Sequence, residues 1–314
     1  ETYDLVDRFK TYFEIGDQLH IFHPDHVSTR EEFEKKFGKR LWKASPEVYG
    51  YVTKVEPTKR ALDGLGVQAW ITGRRRSQGG QRAQIALVEI DPSDSRIKLN
   101  PMANWVHDQV FQYVKDHKLP YNKLHDEGYT SIGDVVSTEK AEASEGERSG
   151  RFKNQESKEC GMHLSTDASS VSKMERLVEK ISNGYEWDND ARERAAKIGI
   201  VTVTEENFEE VMAGAAPVLL EVYAPWCGHC RALERDWNKL ARAVHTDGDN
   251  LIVARMDGWQ NDVPAPYQKP FEATGVPRVY LLRPTASGVR SVELYEGEKE
   301  YSLLLGWVRE RLAA

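Results

Sequence analysis

Two cysteines separated by two residues are the most reactive side chains that this sequence offers. Cys227 and Cys230 stand in Pro-Trp-Cys-Gly-His-Cys, directly after an apolar run that predicts a buried strand. Two sulfurs at this spacing can close a disulfide within one helical turn, and the N–H groups at a helix start stabilise the first thiolate. We therefore expect Cys227 to be the nucleophile and Cys230 to resolve a mixed disulfide. The alternative is half of a zinc site, which the lack of a second such pair disfavours.

A third cysteine, Cys160, stands alone in the polar segment Lys158-Glu-Cys-Gly-Met-His163. A lone cysteine is most often buried and inert. A cation and an imidazole beside the thiol would depress its pKa, however, so we predict that Cys160 is reactive. Three cysteines cannot form a closed disulfide framework, which favours a reducing compartment.

Basic residues are clustered in a chain that is acidic overall. The formal net charge is −7, yet Arg74, Arg75 and Arg76 are consecutive and Arg148 stands close to Arg151. The acidic balance disfavours nucleic acid as a partner, and no apolar run approaches the ~20 residues needed to cross a membrane. We expect the arginines to hold a small anion. A solvated basic turn is the alternative for the first three.

Helices alternate with strands along the sequence, which predicts an α/β fold for the elements that position these side chains. Helices are predicted at Thr2–Phe13, Arg30–Phe37, Glu56–Gly64, Trp105–His117, Arg231–Val244 and Leu303–Leu312. Strands are predicted at Leu19–Phe22, Gln68–Thr72, Ala83–Ile90, Ile200–Thr202, Val218–Tyr223, Leu251–Met256 and Val279–Leu282.

The length of 314 residues suggests about two domains at roughly 150 residues each. We place the first domain at 1–163 and the second at 200–314. The stretch between them, 164–199, is polar and charged with one short predicted helix at Val171–Ile181, so we interpret it as a flexible linker.

The second domain resembles the thioredoxin superfamily, and Glu221-Val-Tyr-Ala-Pro-Trp-Cys-Gly-His-Cys230 is closest to protein disulfide isomerase domains. The resemblance implies a thioredoxin fold in which Glu221 is a buried proton acceptor for Cys230. It also implies that Trp226 and Pro277 line a partner groove, with Val276-Pro277 as the cis-proline turn facing the sulfurs. A surface carboxylate is the alternative for Glu221. The family usually has Thr where Arg278 stands here.

The first domain resembles the sulfonucleotide reductases, which reduce adenylyl sulfate (APS) or 3′-phosphoadenylyl sulfate (PAPS). The matching stretches are AWITGRRRSQGG at 69–80, LNP at 99–101, GYTSIGD at 128–134, GERSGR at 146–151 and ECGMH at 159–163. The resemblance implies part of an adenine-nucleotide α-hydrolase-like, phosphate-loop-type sheet domain. It also implies that Cys160 attacks the sulfate sulfur, giving S-sulfocysteine and AMP or its 3′-phosphate.

Carried over by position, a set of polar side chains would bind the substrate. The resemblance assigns the phosphosulfate to Lys54, Arg148, Arg151 and His163, and the nucleotide pocket to Arg74 and Gln78. The residue types suit the task, since a guanidinium offers a planar fork of donors to an anionic oxygen pair.

The sequence departs from the family in two places. Members with an iron–sulfur cluster carry four cysteines where this chain has Tyr49, Gly50, Asp134 and Ser137, so we expect no cluster and no metal. The glycine- and serine-rich phosphate loop near the family's N-terminus is also absent. We therefore expect a chain that is truncated at its N-terminus and lacks part of the nucleotide site.

The combined expectation is a reductase with a tethered reductant in sulfate assimilation, leading to cysteine biosynthesis. Cys227 would displace sulfite from Cys160, Cys230 would resolve the mixed disulfide, and glutathione or another thiol, such as a thioredoxin system, would reset the pair. The fusion favours APS and the missing cluster favours PAPS. By analogy with plant-type fusions we expect a plastid, otherwise the cytoplasm, and the oligomeric state is open, a homodimer included.

Two other functions remain as alternatives. The first is a general thiol–disulfide oxidoreductase of the protein disulfide isomerase type, with the first domain serving for docking. The second is a nucleotide-binding sensor, which would bind an adenylyl nucleotide without sulfonation of Cys160.

Overall fold

The computed structural model describes residues 2–91, 94–135, 138–140, 147–151, 168–265, 267 and 275–313. The chain divides into a first unit, formed by 1–27 and 47–175, and a second unit, formed by 28–46 and 176–314. Within the described ranges, no helix is both long enough and apolar enough to cross a membrane.

The helices are numbered along the chain over the described residues. They are α1 (Thr2–Phe13), α2 (Arg30–Phe37), α3 (Leu41–Ala44), α4 (Pro46–Gly50), α5 (Glu56–Gly64), α6 (His107–Asp116), α7 (Ala168–Ala196), α8 (Phe208–Ala213), α9 (Gly228–Asp247) and α10 (Tyr301–Ala313). The strands are β1 (Ala69–Ile71), β2 (Val88–Ile90), β3 (Ile97–Leu99), β4 (Val201–Val203), β5 (Val218–Tyr223), β6 (Ile252–Asp257), β7 (Arg278–Arg283) and β8 (Ser291–Leu294).

The first unit contains a three-stranded sheet in the order β1-β3-β2, with β1 parallel and β2 antiparallel to β3. One face carries Ile71, Ile90 and Ile97, of which Ile71 is 71% and Ile90 is 70% exposed. The other face carries Trp70 and the buried Lys98, whose ammonium lies 5.5 Å from the centre of the Trp70 ring. The buried face of this sheet is therefore the polar one.

The second unit contains a five-stranded sheet in the order β4-β6-β5-β7-β8, with β4 and β5 parallel to β6 and the last two strands antiparallel. Leu219 and its face pack against α9 and α10, whereas Val218 and Leu220 pack against α8 on the opposite face. Both faces of β5 are apolar and buried, as its sequence predicts.

Most predicted elements are present, but some local predictions are wrong. Leu19–Phe22, predicted as a strand, is coil. The predicted strand Ala83–Ile90 shortens to β2, because residues before Val88 form turns. A short apolar run becomes a strand only where a neighbouring strand pairs with it, and local composition does not reveal that neighbour.

The stretch interpreted as a flexible linker differs most from expectation. Helix α7 occupies 168–196, and the boundary between the units falls inside it, after Glu175. Its second half buries Ile181, Tyr185 and Ala191 in the second unit, which explains why weak local periodicity still gives a helix.

The segment 28–46 also departs from the predicted boundaries, since it belongs to the second unit. Arg40 pairs with Glu205 there, and the Trp259 indole N–H donates to the carbonyl of Ala44 at 3.1 Å. The described second unit is thus larger than the predicted range 200–314.

Candidate active site

The dithiol lies at the junction of β5 and α9. Cys227 is the N-cap residue of α9 with extended backbone angles (φ −83°, ψ 120°), and Cys230 lies one turn into the helix. The Cys227 thiol is half-buried and points at the carbonyl of Val276, with Sγ 3.6 Å from the oxygen. The Val276–Pro277 peptide bond is cis, and the Val276 contact places this turn beside the Cys227 sulfur.

The two thiols differ in burial. Cys230 is only 2% exposed, and burial raises the pKa of its thiol well above the ordinary value, with the neighbouring Cys227 adding to the effect. A backbone hydrogen bond from Ala224 acts in the opposite direction. Cys230 therefore keeps its proton at neutral pH, and a base must take that proton before the thiol can attack.

Glu221 is the candidate for that base, since its charge acts on the Cys230 thiol. It is 3% exposed in β5, so it is not a surface carboxylate. Burial raises the pKa of Glu221 to about 7, against the opposing effect of the Arg255 guanidinium on the neighbouring strand. A carboxyl group with such a pKa can accept or release a proton near neutrality.

A groove of about 700 Å³ borders the exposed side of the dithiol. His229 and Pro277 line it, and its charged lining residues are Arg278, Lys299, Asp236 and Glu298. Pro277 therefore lines this groove as predicted, whereas Trp226 is not among its lining residues. The Trp226 ring instead packs 4.8 Å from that of Trp259. The groove offers a mixed apolar and charged surface to a docking partner.

Sequence reasoning missed a buried charged cluster beneath the dithiol. Arg255 and Asp188 are 4% and 1% exposed and pair at 3.2 Å. Asp257, 1% exposed, accepts a hydrogen bond of 2.7 Å from Tyr185, and burial raises its pKa to about 6. The arginine inside the apolar sequence of β6 could have predicted this buried cluster. The charged sequence around Asp188 could not, because nothing there distinguishes a buried aspartate from an exposed one.

In the first unit, Lys54 lies on a π-helical turn, Tyr51–Val55, between α4 and α5. Its ammonium pairs with Asp134 at 2.7 Å. Tyr49 lies nearby, and its pKa is raised by burial and by the charge of Asp134. Tyr49 and Asp134 both occupy positions where the resemblance puts cluster cysteines, and a carboxylate–ammonium pair stands there instead.

Arg151 lies next to the same segment. It is 9% exposed, and its guanidinium donates to the carbonyl of Ile132 at 2.8 Å. A Cβ at Gly133 would overlap the Arg151 guanidinium, so a larger residue there would require the guanidinium to move. Lys54 and Arg151 are therefore both held by residues 132–134.

The remaining predicted anion-binding residues form separate contacts. Arg74 is 6% exposed, pairs with Glu89 and donates to Asn100 at 3.2 Å. Gln78 lies 3.4 Å from Glu147, a carboxylate that also pairs with Arg75. The sequence did not predict the ion pair between Arg75 and Glu147, although both residues stand in motifs that match the reductase family.

Arg148 is half-buried, and its carbonyl accepts the backbone N–H of Arg151 at 3.0 Å. Cys160, His163 and Ser137 lie outside the described residues. Among the residues that the structure does describe, no three His, Cys, Asp or Glu side chains are grouped as a metal site would require.

Known families match both parts of the chain. The phosphoadenosine phosphosulfate reductase domain matches residues 1–140, and the thioredoxin family matches residues 199–310. A PAPS reductase of Emericella nidulans is 48% identical over 52% of this chain and 53% of its own length. An adenosine 5′-phosphosulfate reductase of Oceanobacillus iheyensis is 39% identical over 52% of this chain and 67% of its own length.

The chain belongs to the PAPS/APS reductase family. It also carries a thioredoxin domain. Both resemblances and the α/β fold class are thereby confirmed. A crystal structure of PAPS reductase from Candida auris is 42% identical, covers 44% of this chain and 64% of its own, and has a TM-score of 0.40.

This reductase-family chain spans about half to two thirds of the length of the relatives named above. The reductase match contains Lys54, Arg74 and Gln78, and the thioredoxin match contains the dithiol, Glu221 and Pro277. The relatives are fungal and bacterial, so a plastid location stays a prediction.

Proposed function

We propose that this chain carries out the thiol-dependent reduction of APS or PAPS to sulfite. The Cys160 thiolate attacks the sulfate sulfur, the bond from sulfur to the phosphate oxygen breaks, and AMP or its 3′-phosphate leaves. The product on the protein is S-sulfocysteine. Members of the family carry both names, APS reductase and PAPS reductase, which supports either nucleotide as the substrate.

The second unit supplies the electrons in this proposal. The Cys227 thiolate attacks the Cys160 sulfur and sulfite leaves with the electron pair of the broken S–S bond. Cys230 gives its proton to Glu221 and attacks Cys227, which returns Cys160 as a thiolate and leaves a Cys227–Cys230 disulfide. Two molecules of glutathione, or one external dithiol, then reduce that disulfide.

The observation that carries the proposal is the pairing of an accessible thiol with a buried one over a buried carboxylate. Cys227 is half-buried at a helix start, Cys230 is 2% exposed, and Glu221 is 3% exposed. A nucleophile at a helix N-terminus and a proton acceptor for the second thiol are the two requirements of a resolving dithiol.

The anion-binding side of the proposal rests on Lys54 and Arg151. Lys54 and Arg151 are both anchored on residues 132–134, and each carries a fixed positive charge. We propose that these two side chains, with Arg148 and His163, bind the phosphosulfate, and that Arg74 and Gln78 contact the nucleotide. We propose that no iron–sulfur cluster takes part.

Intact mass after incubation with each nucleotide tests the first step. The Cys227→Ser variant should accumulate one SO₃ group on the protein and release no sulfite, whereas Cys160→Ser should gain no mass. The preferred nucleotide is the one that sulfonates the protein faster. Equal sulfite release by the wild type and by Cys160→Ser would contradict the proposal.

A second candidate function is general disulfide reduction, because the groove of about 700 Å³ beside the dithiol can accept an extended partner. Insulin reduction separates the two. Insulin turnover without any reaction of Cys160 with either nucleotide would favour the general oxidoreductase, and nucleotide binding without a mass gain would favour a sensor.

A further inference from the structure

One face of helix α7 lies across the turn that carries the dithiol. Lys180, Gly184, Trp187 and Asp188 are spaced by four, three and one residues, which places them on the same side of a helix. The Lys180 ammonium lies 4.8 Å from the centre of the Trp226 ring, and the Arg231 guanidinium of α9 lies 5.4 Å from the centre of the Trp187 ring.

Gly184 is the point of closest approach. A Cβ at this position would lie 2.7 Å from the Cα and the N of Trp226. Real Cβ atoms do not come so close to backbone, so any larger residue would push α7 away from the residue that precedes Cys227. The glycine is buried in a regular helix, where its flexibility is otherwise a disadvantage.

One helical turn further on, the carboxylate of Asp188 is buried in the second unit, 1% exposed. It accepts hydrogen bonds from the Tyr223 hydroxyl at 2.7 Å, from Arg192 at 2.5 Å and from Arg255 at 3.2 Å. The Arg255 guanidinium is further fixed over the Tyr223 ring, 3.9 Å from its centre. Asp188 and the Tyr223 ring thus both contact the Arg255 guanidinium.

Arg255 is also the partner of Glu221 across the sheet, since the two residues are in register on β6 and β5. A cation that lies near two carboxylates stabilises the ionised form of both. Holding Arg255 on Asp188 therefore weakens its stabilisation of the ionised Glu221 carboxylate.

We propose that α7 is part of the dithiol site, and that Asp188 is a positioning residue that holds Arg255 and thereby governs proton transfer between Cys230 and Glu221. The proposal rests on the proposed role of Glu221 as the proton acceptor. It adds a helix outside the predicted 200–314 domain to the machinery of that domain.

The charges around Glu221 give the direction of the effect. Arg255 on β6 lowers the pKa of Glu221, whereas Asp188 on α7 and Glu234 on α9 raise it, and Cys230 faces it from α9. The partner on β7, Val279, is apolar. Neutralising Asp188 therefore removes one raising charge and leaves Arg255 to Glu221, so Glu221 should ionise at lower pH.

The test uses the full chain with Cys160→Ser and the small aromatic disulfide DTNB. Cys227 attacks DTNB and releases one thionitrobenzoate, and Cys230, losing its proton, attacks the mixed disulfide and releases the second. The rate of the second release against pH reports the proton acceptor. In Asp188→Asn we expect the midpoint of this profile to fall by about one pH unit. The matched control is Asp190→Asn, an exposed aspartate on the same helix, which should keep the parent profile.

A second variant decides the matter if Asp188→Asn does not fold. Gly184→Ala forces α7 off Trp226 and carries Asp188 with it, so the midpoint should again fall. Its control is Gly306→Ala in α10, where an added Cβ meets nothing within 4 Å. The proposal would be overturned if the pH midpoint of the second release in folded Asp188→Asn, or in Gly184→Ala, were the same as in the parent Cys160→Ser protein.

Glu221→Gln separates this proposal from the one on which it rests. If Glu221→Gln keeps the parent profile, Glu221 is not the acceptor, and both the proposed role of Glu221 and that of Asp188 fail. If only Glu221→Gln changes the profile, the acceptor stands and Asp188 fails. DTNB replaces the nucleotide, so failure of sulfite formation leaves this test unaffected.

Discussion

The two sheets of this protein bury opposite kinds of side chains. In the second unit, β5 is apolar on both faces and buried between helices, and its one charged residue, Glu221, lies beneath the dithiol. In the first unit, the apolar face that carries Ile71 and Ile90 is exposed, and the buried face holds Lys98 with Asp91. In the second unit, apolar burial and the buried charge thus fall on different residues of the same strand. In the first unit, the buried face of the sheet is itself charged.

The largest effect should come from the apolar core of the second unit. Leu219→Ala removes a fully buried side chain from β5 and should lower the free energy of unfolding by about 2–5 kcal/mol. The matched change Ile71→Ala, at a side chain 71% exposed, should cost less than about 0.5 kcal/mol. Hydrogen exchange on peptides from each sheet reads the two units separately. If both changes lowered the unfolding free energy equally, the two sheets would not differ in which face stabilises them.

The single charge in β5 should make the second unit less stable as pH rises. Burial raises the pKa of Glu221 from 4.5 to about 7, so the folded state holds a proton that the unfolded state releases. The stabilising contribution is complete below pH 4.5 and is lost as pH rises to about 7, amounting to about 3 kcal/mol at about 1.4 kcal/mol per pKa unit.

Glu221→Gln lacks this titration, so the difference in unfolding free energy between it and the wild type should change across that pH range. Asp257, whose pKa is also raised, is present in both proteins and cancels in the difference. Hydrogen exchange of β5 peptides at several pH values measures the difference. A constant difference from pH 4.5 to 7 would show that Glu221 does not titrate there.

A smaller effect is expected from the buried polar face of the first sheet. Arg74→Gln leaves Glu89 and the Asn100 carbonyl without a charged donor and should cost about 1–3 kcal/mol. Arg76→Gln is the comparison: Arg76 is exposed, and its guanidinium donates one hydrogen bond to the carbonyl of Ile85 at 2.9 Å, so this change should cost less, about 1 kcal/mol. If the two variants lower the unfolding free energy by the same amount, the three arginines form a solvated turn and are not part of the buried face.

The smallest effect on stability is expected at Lys54. Its pair with Asp134 is partly exposed on both sides, at 30% and 23%, so Lys54→Gln should change the unfolding free energy by less than about 1 kcal/mol. Sulfonation of Cys160, followed by intact mass, should nevertheless fall at least tenfold, about 1.4 kcal/mol in the transition state, if Lys54 binds the phosphosulfate. The control is Lys59→Gln, whose helical surface pair with Asp63 lies outside the predicted site. If sulfonation of Cys160 in Lys54→Gln were as fast as in the wild type, Lys54 would not bind the phosphosulfate.

Local sequence was sufficient where the chemistry or the burial is local. The spacing of Cys227 and Cys230, the apolar run of β5 and the helix bounds of α1, α2 and α5 follow from neighbouring residues, and the structure has each of them. The strand predicted at Leu19–Phe22 failed because pairing requires a distant partner. Helix α7 was misjudged because its stability comes from packing of Ile181 and Tyr185 rather than from its own charged sequence.

The sequence by itself determined the chemical groups: two cysteines separated by two residues, a carboxylate in the strand before them, and basic motifs typical of the reductase family. Only the tertiary structure decided which charges meet. Asp188 meets Arg255 across 67 residues of sequence, and Lys54 meets Asp134 across 80. The physical reason is that a buried ion pair depends on how separate elements pack, and neither the periodicity nor the composition of one element specifies what its neighbour brings.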